Sequence, residues 1–165
     1  MKSIVLSLLL LLIVNTLQSQ SSLKLVRREI VLKNKTAFSL MVPEGYQIAV
    51  AAEGLNRPRF FCISPDKRLF ITDMFDRSDN KKGKLLILEN WTDSSNKFQK
   101  TTTYLSNLHN PNQIAFYTRN GEHFIYVAET GKLSYYRYQP GESQPSGPPT
   151  IIARFPDYGL SYKYG

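Results

Sequence analysis

Gly54-Leu55-Asn56-Arg57-Pro58 leads through an apolar run to Ser64-Pro65-Asp66-Lys67 and then to Leu69-Phe70-Ile71-Thr72-Asp73. The chain goes on to say nearly the same thing again. Asn107-Leu108-His109-Asn110-Pro111 leads through an apolar run to Arg119-Asn120-Gly121-Glu122 and then to Phe124-Ile125-Tyr126-Val127-Ala128-Glu129. The two Leu-x-x-Pro cores, Leu55 and Leu108, lie 53 residues apart. Self-similarity at such a period marks a repeat architecture, and here each repeat is made of short apolar runs bounded by turn formers. The blade of a β-propeller is the unit that fits.

Outward from the repeat, strand patterns fall at Tyr46–Ala51, Arg59–Ser64, Leu69–Asp73, Lys84–Glu89, Lys100–Leu105, Gln113–Tyr117, Phe124–Glu129, Lys132–Gln139 and Thr150–Phe155. No window of the mature chain places apolar residues at i, i+3, i+4 and i+7 behind a cap, so helix is excluded. The expectation is an all-β protein. Eight of these strands sort into two four-stranded blades. Hairpins at Pro65-Asp66-Lys67 and Arg119-Asn120-Gly121 then lie at one end. The crossovers Gly54–Pro58, Asn107–Pro111 and Pro156–Gly165 share the other end with the loops Asp73–Gly83 and Glu129–Gly131. The Pro- and Gly-rich piece 139–149 reads as a surface loop between two strands.

Residues 1–20 stand outside any fold argument. Lys2, the apolar run Ile4–Val14 and the polar stretch Asn15–Ser22 read as a secretory signal peptide, too short to anchor the chain across a bilayer. Residues 21–41 form an extended lead-in, and 42–165 hold the blades. About 145 residues remain after the signal, whereas a six-bladed ring needs roughly 250–300. The expectation is therefore a partial β-propeller, about two blades and the start of a third, with Pro156–Gly165 stopping inside a crossover. The destination is periplasmic or extracellular.

Bulk properties exclude more than they assign. Cys62 is the single cysteine, so no internal disulfide is possible and the residue reads as a small buried hydrophobe. Net charge is +8, or +7 without Lys2, but the basic residues are scattered. Nucleic-acid binding would need a basic stripe and a recognisable motif, and neither is present.

The residues around the repeat resemble the glucose/sorbosone dehydrogenase family. Four stretches carry the likeness: Val42-Pro43-Glu44-Gly45-Tyr46-Gln47-Ile48, Glu53-Gly54-Leu55-Asn56-Arg57-Pro58-Arg59, Ser64-Pro65-Asp66-Lys67-Arg68-Leu69-Phe70-Ile71-Thr72-Asp73, and Leu105 to Phe116. The third stretch is shared with propellers of the NHL and lactonase kinds, and the end of the chain, Phe155 to Gly165, points to the sorbosone-like branch. The resemblance implies an exported six-bladed propeller that uses pyrroloquinoline quinone (PQQ) and calcium to oxidise a small sugar or aldehyde by hydride transfer. It implies a histidine base and further arginine, lysine and calcium-ligating positions that this chain does not contain, so no catalytic residue and no metal ligand is assigned. The family's Pro-His-Gly is replaced by Pro111-Asn112-Gln113.

Four residues are the cofactor-binding candidates: Arg59, for a carboxylate through its planar fork; Asn112 and Gln113, whose amides can hold a quinone or a sugar hydroxyl; and Tyr162, which with Tyr158 and Tyr164 could stack on a planar ring or pack an edge. His109 sits at the ligand-facing end but two residues short of Pro111, and His123 lies at the opposite end in a structural role. Asp73 and Glu129 end equivalent strands and read as turn caps rather than calcium ligands. Asn34-Lys35-Thr36 and Asn90-Trp91-Thr92 match the glycosylation pattern. Two rivals remain, an NHL-like propeller that binds protein or polysaccharide without chemistry and a lactonase-like metal hydrolase.

Overall fold

The structure, a computed structural model, describes residues 23–156. Ten strands and no helix occur among these residues. No helix among them is long and apolar enough to cross a membrane. The chain divides into two compact units after Ile48. The expected signal segment 1–20 and the cofactor candidate Tyr162, with Tyr158 and Tyr164, fall outside the described residues.

In the first unit the extended lead-in is folded into a hairpin. Leu25–Val31 (β1) and Ala37–Pro43 (β2) pair antiparallel, Leu25 opposite Pro43 and Val31 opposite Ala37. The turn between them has no glycine, which hid the hairpin from the sequence. Lys35 takes φ 65°, and the Asn34 side chain stands in for a turn carbonyl by accepting the Thr36 N–H at 3.0 Å. The strand expected at Tyr46–Ala51 is corrected: it is irregular. Gly45 turns the chain at φ 88°, and Tyr46 is left 67% exposed. Alternation makes a strand only where an edge is free to pair, and here Ala51 O merely accepts the Phe98 N–H (2.9 Å).

The second unit holds two antiparallel meanders. Pro58–Ile63 (β3), Leu69–Asp73 (β4), Gly83–Thr92 (β5) and Lys97–Leu108 (β6) form one sheet in the order β3-β4-β5-β6. Ile114–Arg119 (β7), Glu122–Glu129 (β8), Lys132–Tyr138 (β9) and Thr150–Arg154 (β10) form the other in the order β7-β8-β9-β10. All eight expected strands of the two repeats are present. The β5–β6 ladder runs past its expected ends because Trp91 and Phe98 meet edge to face at 4.9 Å beyond the apolar run.

Leu85-Leu86-Ile87-Leu88 shows how the sheets are covered. Leu85 and Ile87 are fully buried in a core shared with Phe70, Ile125, Val127 and Tyr138 of both sheets. Leu86 and Leu88 point the other way, where Ile71, Ala52 and Leu55 close over them. A continuous apolar run in a strand means both faces are covered, and this strand obeys that rule. Phe70 is the centre of the core, with Tyr104, Phe116 and Tyr138 all edge-on to it at 5.1–5.8 Å.

Gly83 opens β5 where another backbone passes. A Cβ there would stand 2.2 Å from Pro111 Cδ and 2.8 Å from Leu108 O, so only glycine fits. At the far end of the sheets, Asp66 in the β3–β4 turn accepts from Arg68 Nε (2.8 Å), the Gly141 N–H (2.7 Å) and the Tyr138 hydroxyl. Arg68 Nη2 in turn donates to Tyr138 at 2.5 Å. This buried-edge network joins the first sheet to the β9–β10 loop, which runs from 139 to 149 as expected.

Candidate functional site

The two crossovers and the β4–β5 and β8–β9 loops do gather at one end. The last residue of β4 holds the first crossover. Asp73, 1% exposed, accepts the backbone N–H groups of Asn56 (2.9 Å), Arg57 (2.7 Å) and Phe75 (3.1 Å). Burial pushes its carboxyl upward, and these hydrogen bonds more than offset that, leaving it below its ordinary value. Glu129, the last residue of β8, does the same for the second crossover: Oε2 accepts the His109 N–H at 2.7 Å. The turn-cap expectation holds for both.

The β4–β5 loop is knitted to the second crossover. Asp76 Oδ1 organises the loop by accepting from the Ser78 N–H (2.8 Å) and hydroxyl (2.6 Å) and from Asn80 Nδ2 (2.9 Å). The Ser78 hydroxyl is the leading reason its carboxyl lies below the ordinary value. The Asn110 N–H donates to Asn80 O at 3.2 Å and its side-chain amide to Ser78 O at 3.1 Å. His109 Nε2 meets Asp79 Oδ1, so the histidine braces the loop rather than standing free for a ligand. His123, at the other end, pairs with the Thr118 hydroxyl at 2.7 Å, in the structural role expected of it.

Of the four cofactor candidates, three can be placed. Arg59 lies on β3, half-buried, with no hydrogen bond or ion pair of its side chain among the described residues. Asn112 precedes β7; its N–H donates to Ala128 O at 2.8 Å, and its Oδ1 is buried without a partner. Gln113 is exposed, with its carbonyl committed to the Ala128 N–H at 2.9 Å. Thr72, fully buried on β4, brings β3 and β7 together. Its Oγ1 accepts the Phe60 N–H at 3.1 Å and donates to Asn112 O at 2.9 Å. Tyr162 lies outside the described residues.

These residues suit the two implied groups unequally. A free guanidinium and two amides have the chemistry to meet an acidic, carbonyl-rich quinone. Calcium needs six to eight oxygens, and no group of three or more His, Cys, Asp or Glu among the described residues could hold a metal. Asp73 is spent on backbone amides, and Glu129 is divided between the His109 N–H and the Lys132 ammonium.

The sequence did not single out a cleft of about 320 Å³ at this same end, lined by Lys81, Asn107, His109, Glu129, Lys132 and Arg154. Lys81 comes from the β4–β5 loop and Arg154 closes β10, so the lining joins both sheets. The repeat already put the 73–83 loop beside the 107–111 crossover, which was the available signal for Lys81. Nothing in the sequence placed Arg154 there. No family model, curated protein or solved structure matches the chain.

Proposed function

We propose that the two meanders are neighbouring blades of a β-propeller, and that the chain is the N-terminal part of an exported PQQ-dependent dehydrogenase of the sorbosone type. The observation that carries this is the repeated arrangement itself. Each sheet is a four-stranded antiparallel meander, the form of a propeller blade. In each, the carboxylate ending the second strand clamps the crossover that enters the first. The inner strands β3 and β7 lie side by side through Thr72. The outer faces support further blades: Phe61 (72% exposed) and Ile63 (57%) flank one sheet, and Tyr117 (53%) stands on the other beside Tyr126. Such apolar surface suits a packed neighbour better than water.

In this proposal the quinone, when bound, supplies the hydride acceptor for a sugar or aldehyde. Arg59 would meet one of its carboxylates, with the Asn112 and Gln113 amides reaching carbonyl or hydroxyl oxygens. The proton-accepting base and any calcium site would belong to other parts of the ring, so residues 1–165 alone turn over no substrate. The test uses the full reading frame containing this chain, loaded with PQQ and Ca²⁺ and offered a panel of aldoses and aldehydes with a redox dye. Dye reduction that falls at least tenfold in Arg59→Gln is expected. No reduction with any substrate would reject the dehydrogenase in favour of a binding propeller of the NHL kind.

A further inference from the structure

We infer that the cleft between the β4–β5 loop and β9–β10 binds a small doubly charged anion, a phosphate or a dicarboxylate. Three cations line it, Lys81, Lys132 and Arg154, against one carboxylate, Glu129. The cations outnumber the carboxylate by 3 − 1 = 2. The carboxylate is already engaged on both sides. Its Oε2 accepts the His109 N–H at 2.7 Å, and its Oε1 lies 3.1 Å from Lys132 Nζ. That second contact lacks the direction of a hydrogen bond, so Glu129 holds Lys132 by charge and leaves its donors to the cleft. Glu129 has a side chain only 3% exposed, which fixes the ammonium at the wall without a large loss of side-chain freedom on binding.

Lys81 and Arg154 are the unanswered charges. Among the described residues the side chain of neither makes an ion pair or a hydrogen bond. They reach the cleft from different sheets, and a concave wall between them focuses their fields where a solvated surface would disperse them. Arg154 presents a flat fork matched to two oxygens of a carboxylate or phosphate, and Lys81 a compact point charge. Two free cations ask for two negative charges. The volume, about 320 Å³, is at the lower end for small-molecule sites. Neither ring closure nor quinone binding enters this inference, so a failed dye assay leaves it standing.

The test is calorimetric titration of the chain at low ionic strength with inorganic phosphate and with succinate, using acetate and glucose as monoanionic and neutral controls. One dianion per chain should bind with a submillimolar Kd, at least tenfold tighter than acetate, with no heat from glucose. The dianion that binds more tightly identifies the source as phosphate or carboxylate. Lys81→Gln and Arg154→Gln should each weaken binding at least fivefold. Both positions are exposed and unpartnered, so circular dichroism and melting should stay as in the parent. Absence of saturable dianion binding, acetate binding as tightly as the dianions, or variants that bind like the parent would each overturn the site.

Discussion

Replacing Asp66 by Asn should loosen the join between the two sheets, and pH should control by how much. The Asp66 carboxylate accepts from Ser64, Arg68, Tyr138 and Gly141. Burial alone would raise its pKa, but these donors bring it from 3.8 to about 2. A difference of nearly two units corresponds to about 2 kcal/mol favouring the charged form, and solvent at its rim (side chain 19% exposed) reduces that to about 1–2 kcal/mol. Because the folded pKa is the lower one, this stability is complete above the unfolded value near 4. It is lost as pH falls through about 2. Asn also turns an amide N–H₂ toward one of the existing donors, which adds about 1 kcal/mol. Urea unfolding of the chain, followed by tyrosine and tryptophan fluorescence, should therefore place Asp66→Asn about 2–3 kcal/mol below the parent at pH 7. The gap should narrow to about 1 kcal/mol at pH 2, where the parent protonates the same carboxyl. A gap under about 0.5 kcal/mol at pH 7, or one that is unchanged at pH 2, would show that the charge at Asp66 does not tie the sheets together. The Tyr138 hydroxyl, pushed up to about 12 by burial and by Asp66, should resist ionisation in an alkaline absorbance titration of the parent and yield earlier in Asp66→Asn.

Two other substitutions probe the crossover end. Gly83→Ala puts a methyl 2.2 Å from Pro111 Cδ and should cost about 1–3 kcal/mol, as overpacking does; an unchanged thermal midpoint would refute the close approach. Asp73→Ala removes the acceptor of three part-buried backbone N–H groups and should cost about 2–4 kcal/mol. Hydrogen exchange at Asn56, Arg57 and Phe75 should quicken more than in the core of β8, and uniform quickening would mean that Asp73 is not a local clamp.

The strands of the repeats could be read from the chain because their apolar runs are short, β-branched or aromatic, and punctuated by Pro-Asp and Asn-Gly. Periodicity failed where pairing depended on a partner. Tyr46–Ala51 alternates as well as any strand, yet no free edge receives it, and β1 pairs with β2 through a turn whose positive φ falls on Lys35. At the crossover end, the carboxylate caps were legible because Asp73 and Glu129 recur at equivalent strand ends. The Asp66–Arg68–Tyr138 network was not, since its members are separated by up to 72 residues and no local pattern links them. The same holds for Lys81 and Arg154, whose meeting depends on how one sheet lies on the next.

The two carboxylate clamps are short-range in the chain: Asp73 reaches back 17 residues to Asn56, and Glu129 reaches back 20 to His109. Closing loops of that length is fast and entropically mild. Each module can therefore lock its own entrance soon after its second strand leaves the ribosome. A growing chain would lay down such modules one at a time, each fastened before its successor exists.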